Sequence, residues 1–219
     1  MNVLVFGATG GSGQEIVSRL LSDGHDVTAF VRDPARMSPA SRLTLVEGDA
    51  TSAEDVARAL PQHDAVVVSL GQPPEPFEWL PGRRRSVPAT VCELGTRNIV
   101  AAIQGGEAPR IVIVSAFGVG DTHDTAPWYI RLYLRWFMGE LMADKDRQEA
   151  LIKASDLDYL IVQPVALTDG PATGSWSADP QGRVGKMQVS RSDLADFIVR
   201  ELREDRFHRA TVAFSGTRN

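Results

Sequence analysis

The sequence predicts an α/β fold in a single domain, a doubly wound parallel sheet with helices on both faces. Three observations predict it. Short β-branched runs alternate with amphipathic stretches along the chain. The first run passes directly into a glycine-rich turn, and the run at 64–70 is apolar throughout its centre, as a strand covered on both faces must be.

Residues 2–6 make the first strand, and Ile16, Val17, Leu20 and Leu21 beyond it are spaced along one helix face. Between them stand Gly7, Gly10 and Gly13. In a strand-turn-helix unit the first glycine permits a tight turn, the second lets the backbone approach a pyrophosphate, and the third lets the helix pack on the strand. The N-terminus of the helix offers free N–H groups to phosphates. Gly7, Thr9, Gly10, Gly11, Ser12, Gly13 and Gln14 are therefore expected to hold a dinucleotide, the alternative being a glycine turn that binds nothing.

The second strand, 26–31, ends in Arg32-Asp33-Pro34-Ala35-Arg36. A carboxylate at this strand end accepts a ribose 2′-hydroxyl, whereas an arginine suits a 2′-phosphate. Arg32, with Arg36 one turn further on, points to NADP(H). Alternatively both arginines are surface charges and Asp33 takes the ribose, although Asp33 before Pro34 also reads as the N-cap and first residue of a short helix.

A third strand at 43–47 leads through Gly48-Asp49-Ala50 to a helix at 52–60, and the fourth strand, 64–70, stops at Gly71. A proline-rich loop, 72–82, and the basic run Arg83-Arg84-Arg85 precede a helix at 87–104. The fifth and sixth strands are 110–115 and 158–164, separated by a long, mostly helical segment, and a short last strand at 210–214 is expected to close the sheet edge. Ligands of such sheets lie beyond the carboxyl ends of the strands. Asp49, Ala50, Leu70, Gly71, Ser115, Ala116, Pro164 and Val165 thereby join the candidates. Asp49 and Ala50 would flank the adenine, Gly71 would admit the adenosine to the backbone, and Ser115 would face the nicotinamide. Asp49 reads equally as the organiser of its own turn. Residues 117–143 and 165–190 are the expected substrate side.

At 219 residues, 43% hydrophobic and 23% charged, the chain can fill one large core. Its net charge of -5 argues against a general nucleic-acid or anionic-membrane surface. Cys92 is the single cysteine, which excludes an internal disulfide and fits a reducing cytoplasm. The chain starts in its first strand and no run reaches membrane-spanning length, so no signal peptide and a cytoplasmic location are expected. His25, His63, His123 and His208 are scattered without metal-ligand spacing, so no metal is expected. The aromatic stretch 128–138, with Arg131 and Arg135 one turn apart, reads as a helix apolar nearly all round. It is a substrate wall, a contact between two copies of the chain, or packing against the sheet; a monomer or a homodimer is expected.

These residues resemble a known group. The motifs Gly7-Ala8-Thr9-Gly10-Gly11-Ser12-Gly13, Val31-Arg32-Asp33-Pro34, Gly48-Asp49, Val114-Ser115, Ser155-Asp156-Leu157-Asp158-Tyr159 leading to Pro164, Leu167-Thr168-Asp169-Gly170-Pro171 and Ser190-Arg191-Ser192-Asp193-Leu194-Ala195 are similar to those of the atypical short-chain dehydrogenase/reductases. Within these the likeness is to the single-domain branch of biliverdin IXβ reductase/flavin reductase, neighbouring the NmrA-like regulators. The resemblance runs from Asn2 to about Leu202. It implies a Rossmann domain that binds NADP(H), with Arg32 and Arg36 matching an arginine pair placed on the 2′-phosphate.

The chain departs from the wider family at the reaction end. Most members carry Tyr-x-x-x-Lys, whose tyrosine protonates the substrate carbonyl. Lys145 matches that lysine, but Leu141 stands where the tyrosine would be, and Tyr129 and Tyr133 lie more than one turn further back. Hydride transfer needs only a nicotinamide held against an acceptor. The resemblance thus implies a reductase of a flavin, tetrapyrrole or quinone-like acceptor, small, flat and conjugated, in which Ser115 orients the nicotinamide or substrate. Lys145 contacts the ribose, or else is a solvated lysine paired with Asp144 or Asp146; Glu149, one turn on, is a candidate proton relay. Gln163 stands where relatives often have an arginine before the proline. The other reading is a non-catalytic NADP(H)-binding redox sensor of the NmrA-like kind.

Overall fold

The computed structural model describes residues 1–71, 90–103, 109–123, 125 and 139–218. Its first strands, β1 (Asn2–Phe6), β2 (Asp26–Val31), β3 (Leu43–Glu47) and β4 (Ala65–Val68), are joined through α1 (Gly11–Ser22), a 3-10 turn (Pro34–Arg36) and α2 (Ala53–Ala59). Next come α3 (Val91–Ile103), β5 (Arg110–Val114), α4 (Gly139–Lys153) and β6 (Tyr159–Pro164). The chain continues through β7 (Ala166–Thr168), β8 (Trp176–Asp179), β9 (Gln188–Ser190), α5 (Arg191–Glu204) and β10 (Ala210–Gly216).

The sheet runs β3-β2-β1-β4-β5-β6-β10-β8. Its first six strands have the Rossmann order, in which the direction of winding reverses between β1 and β4 and opens a crevice at their carboxyl ends. Every pairing from β3 to β10 is parallel, and only β8 runs antiparallel, against β10. β4 is buried at all its positions, the consequence of cover on both faces.

Strand alternation sends side chains into two layers. Val3, Val5, Val67, Val112 and Val162 meet Ile16, Val17 and Leu20 of α1 and Leu194, Phe197 and Ile198 of α5. Leu4, Phe6, Val66, Ile111 and Ile161 meet Val56 of α2, Ile99 and Ile103 of α3 and Ile152 of α4. Each such side chain contributes roughly 1.5–3 kcal/mol when fully buried. On the first face α1 and α5 are tied by Arg19 to Asp196 at 3.0 Å and by Ser192 Oγ to Glu15 at 2.9 Å.

One expectation needs correction. The last strand does not close the sheet, because β8 pairs beyond it, from Gly216 opposite Trp176 to Ala213 opposite Asp179. The Trp176 ring packs on Phe197 and Phe214, 5.1 and 5.7 Å between centroids, which buries apolar area and covers an edge that would otherwise stand open. Within the span 165–190, β7 and β9 form a second, two-stranded parallel sheet. Residues 72–89, with the triple arginine, and the aromatic stretch 128–138, with Tyr129 and Tyr133, lie outside the described residues. Among the described residues, no helix is long and apolar enough to cross a membrane.

Candidate functional site

A cavity of about 290 Å³ opens at the carboxyl ends of β1 to β4. Gly7, Thr9 and Gly10 line it from the first turn, Arg32 and Arg36 from beyond β2, Asp49 and Ala50 from beyond β3, and Leu70 and Gly71 from beyond β4. Nine of the sequence candidates are thus brought together. Phe30, Val31, Gly48, Ser69 and Val91 also line it and were not anticipated. Four of them lie a residue or two before an anticipated position, so a margin at each strand end would have found them.

The turn is built by close approach. Gly7 has φ +76°, and a Cβ there would stand 2.3 Å from the Ser69 carbonyl oxygen. A Cβ on Gly13 would stand 2.1 Å from the Gly7 carbonyl, so α1 rests directly on the turn. Gly10 is the N-cap of α1, no side chain caps the helix, and its first turn carries no acidic residue. The first N–H groups of α1 are left for a ligand. Gln14 Nε2 donates to the Thr9 carbonyl at 3.2 Å, a bond within the turn.

Beyond β2, Asp33 accepts the Ala35 N–H at 3.0 Å as N-cap of the turn that Pro34 begins. Its carboxylate is used locally, whereas Arg32 and Arg36 flank the cavity. Asp49 organises its own turn and also lines the cavity. Its carboxylate accepts the Thr51 N–H and hydroxyl at 2.8 Å each. The Asp49 N–H donates to Asp55 at 3.0 Å, and that bond, with Arg58, holds the Asp55 carboxyl below its ordinary value.

The reaction-end candidates form a second group. Ser115, Ala116, Lys145, Pro164 and Val165 do not line this cavity, nor do Gly11, Ser12, Gly13 and Gln14. Lys145 is only 7% exposed, which removes the solvated alternative. Its Nζ donates to the Val114 carbonyl at 2.9 Å and to the Leu70 carbonyl at 3.3 Å, joining the end of β5 to the cavity wall. Asp144 is spent elsewhere, its carboxylate accepting the Cys92 and Glu93 N–H groups at 2.9 Å at the start of α3. Burial pushes the Cys92 thiol up to about 12.

Ser115 donates to Glu149 Oε1 at 2.5 Å. Glu149 is 1% exposed, and Gln163 Nε2 donates to both its oxygens, at 2.8 and 3.1 Å. Lys153 completes the set, donating to Glu149 at 3.3 Å and to Asp121 at 2.8 Å. Burial pulls the Lys153 ammonium down, but the Asp121 hydrogen bond and the charges of Glu149 and Asp121 outweigh it and hold it above its ordinary value. Pro164 and Val165 are buried, with the Pro164 carbonyl accepting Phe117 N–H at 2.9 Å and Val165 N–H donating to Phe214 at 3.0 Å. They tie β6 to its neighbours. The described residues also contain one group with metal-ligand geometry, Asp158, Asp205 and His208, at the opposite end of β6 from the cavity.

Known proteins agree with this architecture. An uncharacterised chloroplastic protein of Arabidopsis thaliana is 29% identical over 214 residues, covering 93% of this chain and 72% of that protein. An anaerobillin reductase of Escherichia coli O157:H7 superposes with a TM-score of 0.80 at 22% identity, covering 99% of this chain and 97% of that one. A short-chain dehydrogenase/reductase of Veillonella parvula in complex with NADP superposes with a TM-score of 0.80 at 20% identity, covering 98% and 94%. The family described as NAD(P)H-binding matches residues 7–205, from the first glycine of the turn to the C-cap of α5, and this chain belongs to it.

Proposed function

We propose that the protein is a reductase that prefers NADPH and acts on a small, flat, conjugated acceptor of the flavin, tetrapyrrole or quinone class. The observation that carries this reading is that Arg32 and Arg36 share one cavity with the glycine turn, while Asp33, which caps its own turn, does not line it. Two guanidinium forks match a 2′-phosphate. The neighbours solved with NADP and named as a reductase support the same class.

Bound NADPH would supply a hydride; the chain's own residues hold and orient it. The uncapped first turn of α1 offers N–H groups to the pyrophosphate. An ammonium has three hydrogens, and Lys145 spends two on backbone carbonyls, keeping one for a ribose hydroxyl. Ser115, anchored by Glu149, orients the nicotinamide end. Leu141 has no proton to give, so the acceptor is one whose proton comes from water.

The test mixes the purified protein with NADPH and, in turn, FMN, biliverdin or a quinone, following absorbance at the nicotinamide band. Acceptor-dependent loss of NADPH is expected. Tight NADPH binding without consumption by any acceptor would overturn the reductase reading in favour of a nucleotide sensor. Arg32→Glu should weaken NADPH by tenfold or more and leave NADH unchanged, since a charge-assisted hydrogen bond contributes about 1.5–3 kcal/mol. Equal NADPH affinity in that variant would refute the 2′-phosphate assignment.

A further inference from the structure

Arg191 is the first residue of α5, directly after its N-cap Ser190. Its side chain lies flat on Gly11, where an added methyl would stand 3.0 Å from Nε and 3.3 Å from Cδ. The guanidinium therefore sits beside Gly11 in the first turn of α1, on a residue that itself begins α5. The start of α1 is the positive end of a helix dipole, where a cation is disfavoured. The carboxylate partner of Arg191 is Asp169, just after β7, with a side chain 88% exposed. A pair so exposed contributes little. A cation held against a helix N-terminus by a solvated counter-ion is arranged for a stronger anion than the one it has.

We propose that Arg191 is a further cofactor-binding residue, which closes over the dinucleotide pyrophosphate on the first turn of α1, with Asp169 holding its guanidinium until the pyrophosphate displaces it. The inference rests on the cofactor site described above and is independent of the acceptor. It assigns pyrophosphate recognition to both ends of the chain, backbone N–H groups from the glycine turn and a side chain from α5. It also makes Asp169 a competitor of the ligand, so the two partners of one ion pair should act with opposite sign.

Calorimetric titration of the full chain with ADP-ribose, NADH, NADPH and adenosine 2′-monophosphate tests this. Arg191→Gln should weaken the three pyrophosphate ligands about tenfold, the scale of one partly solvated charge-assisted hydrogen bond, and leave adenosine 2′-monophosphate unchanged. Asp169→Asn should tighten the same three by about two- to fivefold, more at low salt than at high. Unchanged ADP-ribose affinity in Arg191→Gln overturns the proposal. So does weakening by Asp169→Asn comparable to that by Arg191→Gln, the result expected if the pair only ties the loop to the helix. If Arg191→Gln fails to fold, the sign of the Asp169→Asn effect decides. A wild-type chain that binds no ADP-ribose would instead bring down the cofactor site itself.

Discussion

Gly7→Ala should cost the protein stability that Gly71→Ala does not, although both residues line the same cavity. At Gly7 the backbone is left-handed, φ +76°, a conformation that costs an L-residue about 1–2 kcal/mol. The new methyl would also stand 2.3 Å from the Ser69 carbonyl oxygen and 2.7 Å from its carbon, both backbone atoms of the residue directly after β4. Relieving that overlap means parting β1 from β4, an overpacking penalty of about 1–3 kcal/mol. The sum, about 2–5 kcal/mol, is a large share of a typical domain's 5–15 kcal/mol. For a chain of this size it lowers the melting temperature by roughly 4–20 °C. A Cβ at Gly71 meets nothing within 4 Å, so Gly71→Ala should stay within about 0.5 kcal/mol of wild type. Its methyl projects into open space at the cavity, and its effect should fall on NADPH affinity. Thermal denaturation of both variants, without and with NADPH, makes the comparison. A Gly7→Ala melting temperature within about 2 °C of wild type would refute the close packing of the turn on the end of β4.

The Cys92 thiol, pushed up to about 12 by burial, should resist iodoacetamide at pH 8 by about three orders of magnitude relative to the unfolded chain. As Cys92 is the single cysteine, total label incorporation reads this directly, and rapid labelling of native protein would refute it. Asp193 is buried, and burial alone would raise its carboxyl; four donors, the hydroxyls of Thr173 and Ser190 and the N–H groups of Thr173 and Gly174, overcome this and hold it below its ordinary value. Because the folded value is the lower one, its stabilisation is present above the unfolded value near 3.9 and is lost as the pH falls through the folded value. Asp193→Asn should cost about 2–3 kcal/mol at pH 7 and flatten the acid limb of the stability profile below about pH 4. An acid limb that the variant leaves unaltered would show that another group carries it.

How much could be read from the sequence depended on whether the signal was local. The glycine turn, the arginines after β2 and the order of strand and helix are each carried by contiguous residues, since a strand's two-residue period and a helix's 3.6-residue period are properties of short segments. The helix α4 shows where such reading stops. Asp144, Lys145, Gln148, Glu149 and Ile152 are all buried and lie along one face, yet four of the five are polar. A periodicity search weighs apolar residues and so passes over a polar face that is turned inward. That is why Lys145 reads as equally a ribose ligand and a solvated charge until its two carbonyl partners are seen. The same limit hid β8, whose four half-buried residues carry no clear alternation and gain their place from Phe197 and Phe214.

By itself the sequence determined a doubly wound parallel sheet and a glycine turn at its first crossover, the expected dinucleotide site. Each follows from residue chemistry within a dozen positions. Only the tertiary structure decided that Ser115 meets Glu149 across 34 residues and Gln163 meets it across 14, that Asp33 caps its own turn outside the cavity, and that Arg191 lies on Gly11. Contacts between distant segments are set by sheet order and helix packing, and no local pattern of residue types encodes which side chains those arrangements bring face to face.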